Sequence, residues 1–174
     1  MRFSIAATIV AVALGLAACS KAPYVPPQQP AFMRSLVAPG TQVDAGAAAD
    51  MFSQYRMANG RGPLVVDPVL QGIALEQARA MAAGQKVGHD VGLGNLDVRA
   101  QKAGYSYDNI AENVAGGYHS LGEAFSGWRD SSGHRKNMLM PEVTHMGIAV
   151  AQVPGSKYKV FWAMVVAKPH TPRR

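Results

Sequence analysis

Apolar residues recur with a helical period from Asp44 to Asn59, where Ala48, Met51, Phe52 and Tyr55 share one stripe and Gly60 follows as a stop. Arg61-Gly62-Pro63 reads as a loop, and Leu64-Val65-Val66 is a short apolar run leading into Asp67-Pro68. Asp at the N-cap with Pro at the first helical position starts a second helix, whose stripe is Leu70, Ile73, Ala74, Gln77, Ala78 and Met81 and whose end is Gly84. A short third helix is predicted from Asn95 to Ala103, capped by Gly104, with Leu96, Arg99 and Ala100 in period. Tyr105 to Asp108 is expected to be loop, and Ile110 to Val114 a short extended stretch or turn. Ser120-Leu121-Gly122-Glu123 has the spacing of a capping box, and Leu121, Ala124, Phe125 and Trp128 form the stripe of a fourth helix that must end by Gly133.

Beyond that point the period changes to two. His145–Val153 and Tyr158–Ala167 are strand-like, with Pro154-Gly155-Ser156-Lys157 as the hairpin loop between them. The second of these strands is almost continuously apolar, so both its faces should be covered. Helices first and an antiparallel hairpin last imply an α+β layered domain. No internal repeat or second linker interrupts residues 41–168, which are expected to form one domain.

The ends have a different composition. Arg2 precedes the apolar stretch Phe3–Leu16, which is too short for a comfortable membrane span of about 20 residues and reads as a signal h-region. Leu16-Ala17-Ala18-Cys19 follows and resembles a bacterial lipobox; Cys19 is the chain's single cysteine. Residues 1–18 are therefore read as a lipoprotein signal peptide, with Cys19 as the lipidated, membrane-anchoring residue of an exported protein. The resemblance to bacterial lipoproteins, with Ser20 after the Cys, favours an outer membrane facing the periplasm where the cell has one. Residues 19–40, with Pro23, Pro26, Pro27, Pro30 and Pro39, read as a semi-extended tether, and 169–174 as a basic tail. A single cysteine allows no internal disulfide, so stability must come from the core.

The formal net charge is +6, but the basic residues are scattered, with no run of five or six and no interleaved aromatics. That pattern suits a solvated surface near anionic lipid or envelope polymer rather than nucleic acid.

Three polar clusters stand out against this Ala-rich background: Gly88-His89-Asp90, Ala111-Glu112-Asn113, and Trp128 through Asn137, which contains Ser131 and His134. Two imidazoles and a carboxylate are the raw material of a divalent-metal or acid/base site. Together with Tyr55-Arg56-Met57-Ala58-Asn59-Gly60, Pro63 through Leu70 and Gly147-Ile148-Ala149-Val150-Ala151, these clusters resemble, in order and spacing, the CAP superfamily (cysteine-rich secretory proteins, antigen 5 and pathogenesis-related 1 proteins, also called SCP-like). The match is nearest to the short, cysteine-free bacterial members and covers about residues 45–167.

The resemblance implies an α-β-α sandwich, about four helices around a small antiparallel sheet, with a cleft of two His and two acidic residues that holds a divalent ion in some members. Carried onto this chain, it assigns His89, Glu112 and His134 as metal ligands for Zn²⁺ or another divalent metal. Asn113, Ser131 and Asn137 would line the cleft, with Ser131 near the place of the missing second acid. Asn113 would fix backbone groups near the carboxylate, Ser132-Gly133 would form a tight turn before His134, and Arg135 and Asn137 would bind carbonyls and the helix end. The alternative for the two His is a hydrogen-bonded pair bracing a loop against Glu112.

Two functions follow. One is a non-enzymatic binding module, anchored to the envelope, whose ligand is lipid-like or an envelope component. The other is a metal-assisted or acid/base hydrolase of envelope peptide or glycan, with Glu112 as the base. The chain lacks His-Glu-x-x-His and Gly-x-Ser-x-Gly, and shows one carboxylate where a glycosidase needs two, which favours the binder. A structural spacer with a vestigial cleft is a third reading.

Overall fold

The computed structural model describes residues 29–171; the signal and lipobox segment, including Cys19, lies outside the described residues. Helix α1, Ala45–Ala58, begins where the Asp44 carboxylate accepts from the Ala47 N–H. Strand β1, Val65–Val66, leads directly into helix α2, Pro68–Gly84, whose first N–H groups at Val69 and Leu70 both donate to Asp67. Asn95 caps helix α3, Leu96–Lys102, through the Val98 N–H. After strand β2, Tyr107–Gly116, helix α4 spans Leu121–Asp130. Ser120 accepts from the Glu123 N–H there, and Glu123 accepts in return from the His119 N–H. Helix α5, Ser132–Met138, follows without a loop, and strands β3, His145–Val153, and β4, Lys159–Pro169, close the chain.

Five α-helices are present among the described residues where four were expected, and Ser132-Gly133 is the first turn of α5 rather than a tight turn. The stretch at 110–114 is part of a ten-residue strand that starts at Tyr107. The sheet order is β1-β3-β4-β2. It is mixed rather than antiparallel, because β1 runs parallel to β3: Val65 N–H donates to the Thr144 carbonyl and Asp67 N–H to that of Met146.

The side-chain alternation of a strand sends successive residues to opposite faces, and the sheet carries one helical layer on each. Ala111, Ala115, Ile148, Trp162, Met164 and Val166 pack with residues of α1, α4 and α5. Val114, Ala149, Phe161, Ala163, Val165 and Ala167 pack with α2 and α3. Residues 160–167 of β4 are wholly buried, as expected of a central strand covered on both sides. The result is the expected α-β-α sandwich. A side chain at Gly147 would run into the backbone of Leu70 and Gln71, so this glycine permits α2 to lie directly on β3.

Of the stretch expected to form the tether, residues 29–40 are described, and they lie against the domain. Ala31–Met33 form a 3₁₀ turn, Leu36 is buried, and its N–H donates to the His119 carbonyl. The Gln152 amide donates to the carbonyls of Leu36 and Thr41, stapling this strap to β3.

Candidate functional site

The site forms at the free edge of β2, where the two helical layers meet. Glu112 and Asn113 are neighbours in that strand, so they face opposite layers. Glu112 faces α3 and the loop between α2 and α3; Asn113 faces α5. His89 lies on that loop and His134 in the first turn of α5. The strand thus joins two polar clusters that are distant in sequence.

On one side, Glu112 is held between a guanidinium and an imidazole. Its Oε1 is 2.9 Å from Arg99 Nη1, and its Oε2 is 2.9 Å from His89 Nδ1. The Glu112 side chain is 2% exposed and that of Arg99 is 0%, whereas that of His89 is 59% exposed. Charges in contact behind low-dielectric walls attract far more strongly than on the surface. The ion pair is off-line for hydrogen bonding, and Arg99 Nε and Nη1 and Glu112 Oε1 lack fully aligned partners. The loop carrying His89 is pinned twice: buried Gln77 donates to the Gly88 carbonyl at 2.6 Å, and Arg99 Nη2 reaches the His89 carbonyl at 3.4 Å.

On the other side, the Asn137 amide donates to the Glu112 carbonyl at 3.0 Å and to Asn113 Oδ1 at 2.9 Å. The Asn113 amide donates to the His134 carbonyl at 3.1 Å. These bonds complete groups that the edge of β2 would otherwise leave to water, and they fix α5 against the strand. Arg135 donates to the Arg129 carbonyl, so Arg135 and Asn137 both bind carbonyls, as their sequence context suggested. His134 is half-buried, and burial, then the neighbouring His89, hold its pKa below the ordinary imidazole value. Ser131 sits half-buried at the junction of α4 and α5, and its side chain makes no cap bond. Exposed Asp130 is paired with Arg129 at 2.8 Å, so it does not replace the missing acid.

These placements change what Glu112 can do. Shielded and held at both oxygens, it cannot touch a substrate, and a role as base would fall to His89. A carboxylate only accepts hydrogen bonds, so His89 Nδ1 donates to it, which in the neutral imidazole leaves Nε2 as an acceptor. The fit to a three-ligand metal centre fails for the same reason: Arg99 occupies the carboxylate that would be the third ligand. Among the described residues no group of three His, Cys, Asp or Glu side chains is gathered to hold a metal.

Arg99 and Gln77 belong to the site but were read only as helix positions. A hint was present in Gln77, an amide on an otherwise apolar stripe, since a buried amide needs a partner. Arg99 carried a similar hint, since it falls in period with Leu96 and Ala100 on the stripe of the third helix.

The sandwich and the polar cluster at its β2 edge define the protein's class, and the sequence agrees with them. The model of the cysteine-rich secretory protein (CAP) family matches residues 49–166, and the chain belongs to that family. It is 31% identical over 104 residues to the uncharacterized protein YkwD of Bacillus subtilis, an alignment covering 59% of this chain and 40% of YkwD. It is 28% identical to the uncharacterized membrane protein YlbC of the same organism, covering 58% of this chain and 30% of YlbC. The chain thus spans well under half the length of these two relatives. Among solved structures, it is similar to an extracellular SCP-domain protein of Bacillus anthracis (TM-score 0.63, 24% identity, 71% of this chain and 40% of that one). It is also similar to an outer surface protein of Borrelia burgdorferi (TM-score 0.64, 16% identity, 75% and 99%). These likenesses are to the fold.

Proposed function

We propose that this chain is an exported CAP-domain binding protein that takes an envelope component at the His89/His134 cluster. The observation that carries the reading is the series Arg99–Glu112–His89. A buried ion pair orients an exposed imidazole and leaves its Nε2 free to accept. The lowered pKa of His134 favours the neutral form of that imidazole beside it at neutral pH. Two imidazoles with no free carboxylate suit a ligand rich in hydroxyl or amide donors, such as a glycan or a lipid headgroup. Export is supported by the signal-like N-terminus and by likeness to proteins described as extracellular and outer-surface. Anchoring through Cys19 completes the reading: Cys19→Ser should release the protein from membranes, and unchanged fractionation would remove the anchor from it.

The second reading is acid/base hydrolysis with His89 as the base, favoured by the imidazole–carboxylate contact itself. One experiment separates the two. The native chain is extracted from its membrane, and co-purifying small molecules are identified by mass spectrometry, beside a His89→Ala/His134→Ala variant. A compound retained by the wild type, lost from the variant and unaltered on incubation supports the binder. Turnover of envelope peptide or glycan that His89→Ala abolishes supports the enzyme. No retained compound and no turnover would remove both.

A further inference from the structure

A cleft lies on another part of the sheet, away from the His89/His134 cluster. Residues His145, Gly147, Ala149, Ala151 and Val153 of β3 stand opposite odd-numbered residues of β4, from Ala167 to Lys159. The even-numbered residues of β3 turn their backbone groups to the other side: Met146 accepts from the Asp67 N–H of the β1 segment. β1 is two residues long, so its pairing ends there. At the next position the Gln71 side chain stands in for a strand, donating to the Ile148 carbonyl and accepting from its N–H. Val150 and Gln152 come next, and among the described residues nothing pairs with their outward N–H and C=O groups. They open into a cleft of about 310 Å³ between α2 and the strap at residues 40–43.

The walls say what would enter. Gln71, Leu75 and Arg79 recur every four residues on one face of α2 and line the cleft together. Gln71 and Arg79 are separated by about 12 Å of helix rise, which matches roughly three to four residues of strand. Leu75 and Val43 offer apolar contact midway. Arg79 is exposed, pairs with no carboxylate among the described residues, and no Asp or Glu lines the cleft.

We propose that this cleft is a peptide-binding site, in which an extended segment of another protein continues the line of β1, pairs with Val150 and Gln152, and sets an acidic group against Arg79. Strand addition draws affinity from main-chain bonds and specificity from alternate side chains. Here the alternate side chains meet Leu75 and Val43, and Arg79 selects a carboxylate at one end. The site is separate from the His89/His134 cluster, so its failure leaves the function proposed above untouched.

The test is a titration of the ¹⁵N-labelled full chain with the peptide acetyl-Val-Thr-Val-Glu, carried to about 2 mM because short strands bind weakly. Expected are shifts at the Val150 and Gln152 amides and slower exchange there. Arg79→Gln should weaken binding about 3- to 5-fold, the range of a partly exposed ion pair, while Arg61→Gln leaves it unchanged. N-methylating the peptide at one set of alternate residues should abolish binding, and at the other set should not. The proposal would be overturned by no shift at these amides, equal tolerance of both methylation patterns, acetate alone reproducing the shifts, or an edge already protected in the free chain. Protection that rises with protein concentration would assign the edge to a second copy of the chain, and would overturn the proposal equally.

Discussion

Glu112 Oε1 and Arg99 Nη1 stand 2.9 Å apart with both side chains shielded, and this buried pair supports the solvent-facing His89. The α2–α3 side of this cluster is organised by charge, and its α5 side by amides.

Removing one member of such a pair strands the other charge in the interior, which costs about 3–5 kcal/mol. Arg99→Met should therefore destabilise the domain by about 3 kcal/mol or more in urea unfolding. The double variant Arg99→Met/Glu112→Leu should recover most of that loss, because an apolar pair of similar volume is nearly neutral. Recovery of stability should not restore ligand retention, since His89 Nδ1 then has no acceptor. A double variant as unstable as the single one would mean that the pair is not the source of the cost.

His134 provides a pH dependence with a definite sign. Its folded pKa is lowered, first by burial and then by His89, so the unfolded chain binds its proton more readily. The contribution to stability is complete above the ordinary imidazole value of about 6.5 and is lost as pH falls from there toward the folded pKa. NMR titration of His134 should give a midpoint below about 6.5. His89→Ala should move it upward without restoring it fully, because burial remains the larger cause. A downward move would contradict repulsion from His89.

Arg56 is a second buried arginine among the described residues, and no carboxylate there pairs with it. Its Nε donates to the Gly62 carbonyl, Nη1 to Met138 and Met140, and Nη2 to Val143. The end of α5 and the turn into β3 are thereby tied to α1. Lysine keeps the charge but loses the planar fork that reaches these carbonyls. Arg56→Lys should cost about 2–4 kcal/mol, at about 1–3 kcal/mol for each buried group left without a partner and partly offset by water. Hydrogen exchange should quicken first in residues 138–143; uniform acceleration would show that Arg56 does not act locally.

Much of this architecture was legible where the signal is local. Asp44, Asp67-Pro68, Asn95 and Ser120-x-x-Glu123 each cap a helix as their chemistry suggests, and the period-two run at 145–167 forms the hairpin. The pairing of β1 was not legible, because Val65 and Val66 are exposed and carry no core alternation. Helix α5 was missed because it has no apolar stripe: of its seven residues only Met138 is buried, and amide and guanidinium contacts dock it. His89, Glu112 and His134 stood out as polar clusters in an Ala-rich stretch, and the family resemblance grouped them into one site. Arg99 was read in period with Leu96 and Ala100, but its role stayed hidden because its partner, thirteen residues on, meets it only through the tertiary fold.

That polar docking of α5 makes Asn137 a sharp test of the cluster. Its amide satisfies both the Glu112 carbonyl and Asn113 Oδ1. Asn137→Ala removes both donors and should cost about 1–3 kcal/mol. Asn137→Asp conserves shape but sets a carboxylate against two acceptors, so it should be the worse variant at neutral pH and should recover as pH falls and the carboxyl protonates. In both, His134 should lose its fixed position before the rest of the fold loosens, because the Asn113 bond to the His134 carbonyl depends on Asn113 being held. Chemical shifts of His134 and thermal unfolding, followed against pH, report the two effects separately. Aspartate as stable as asparagine at neutral pH would show that Asn137 is not the donor that fastens α5 to the edge of β2.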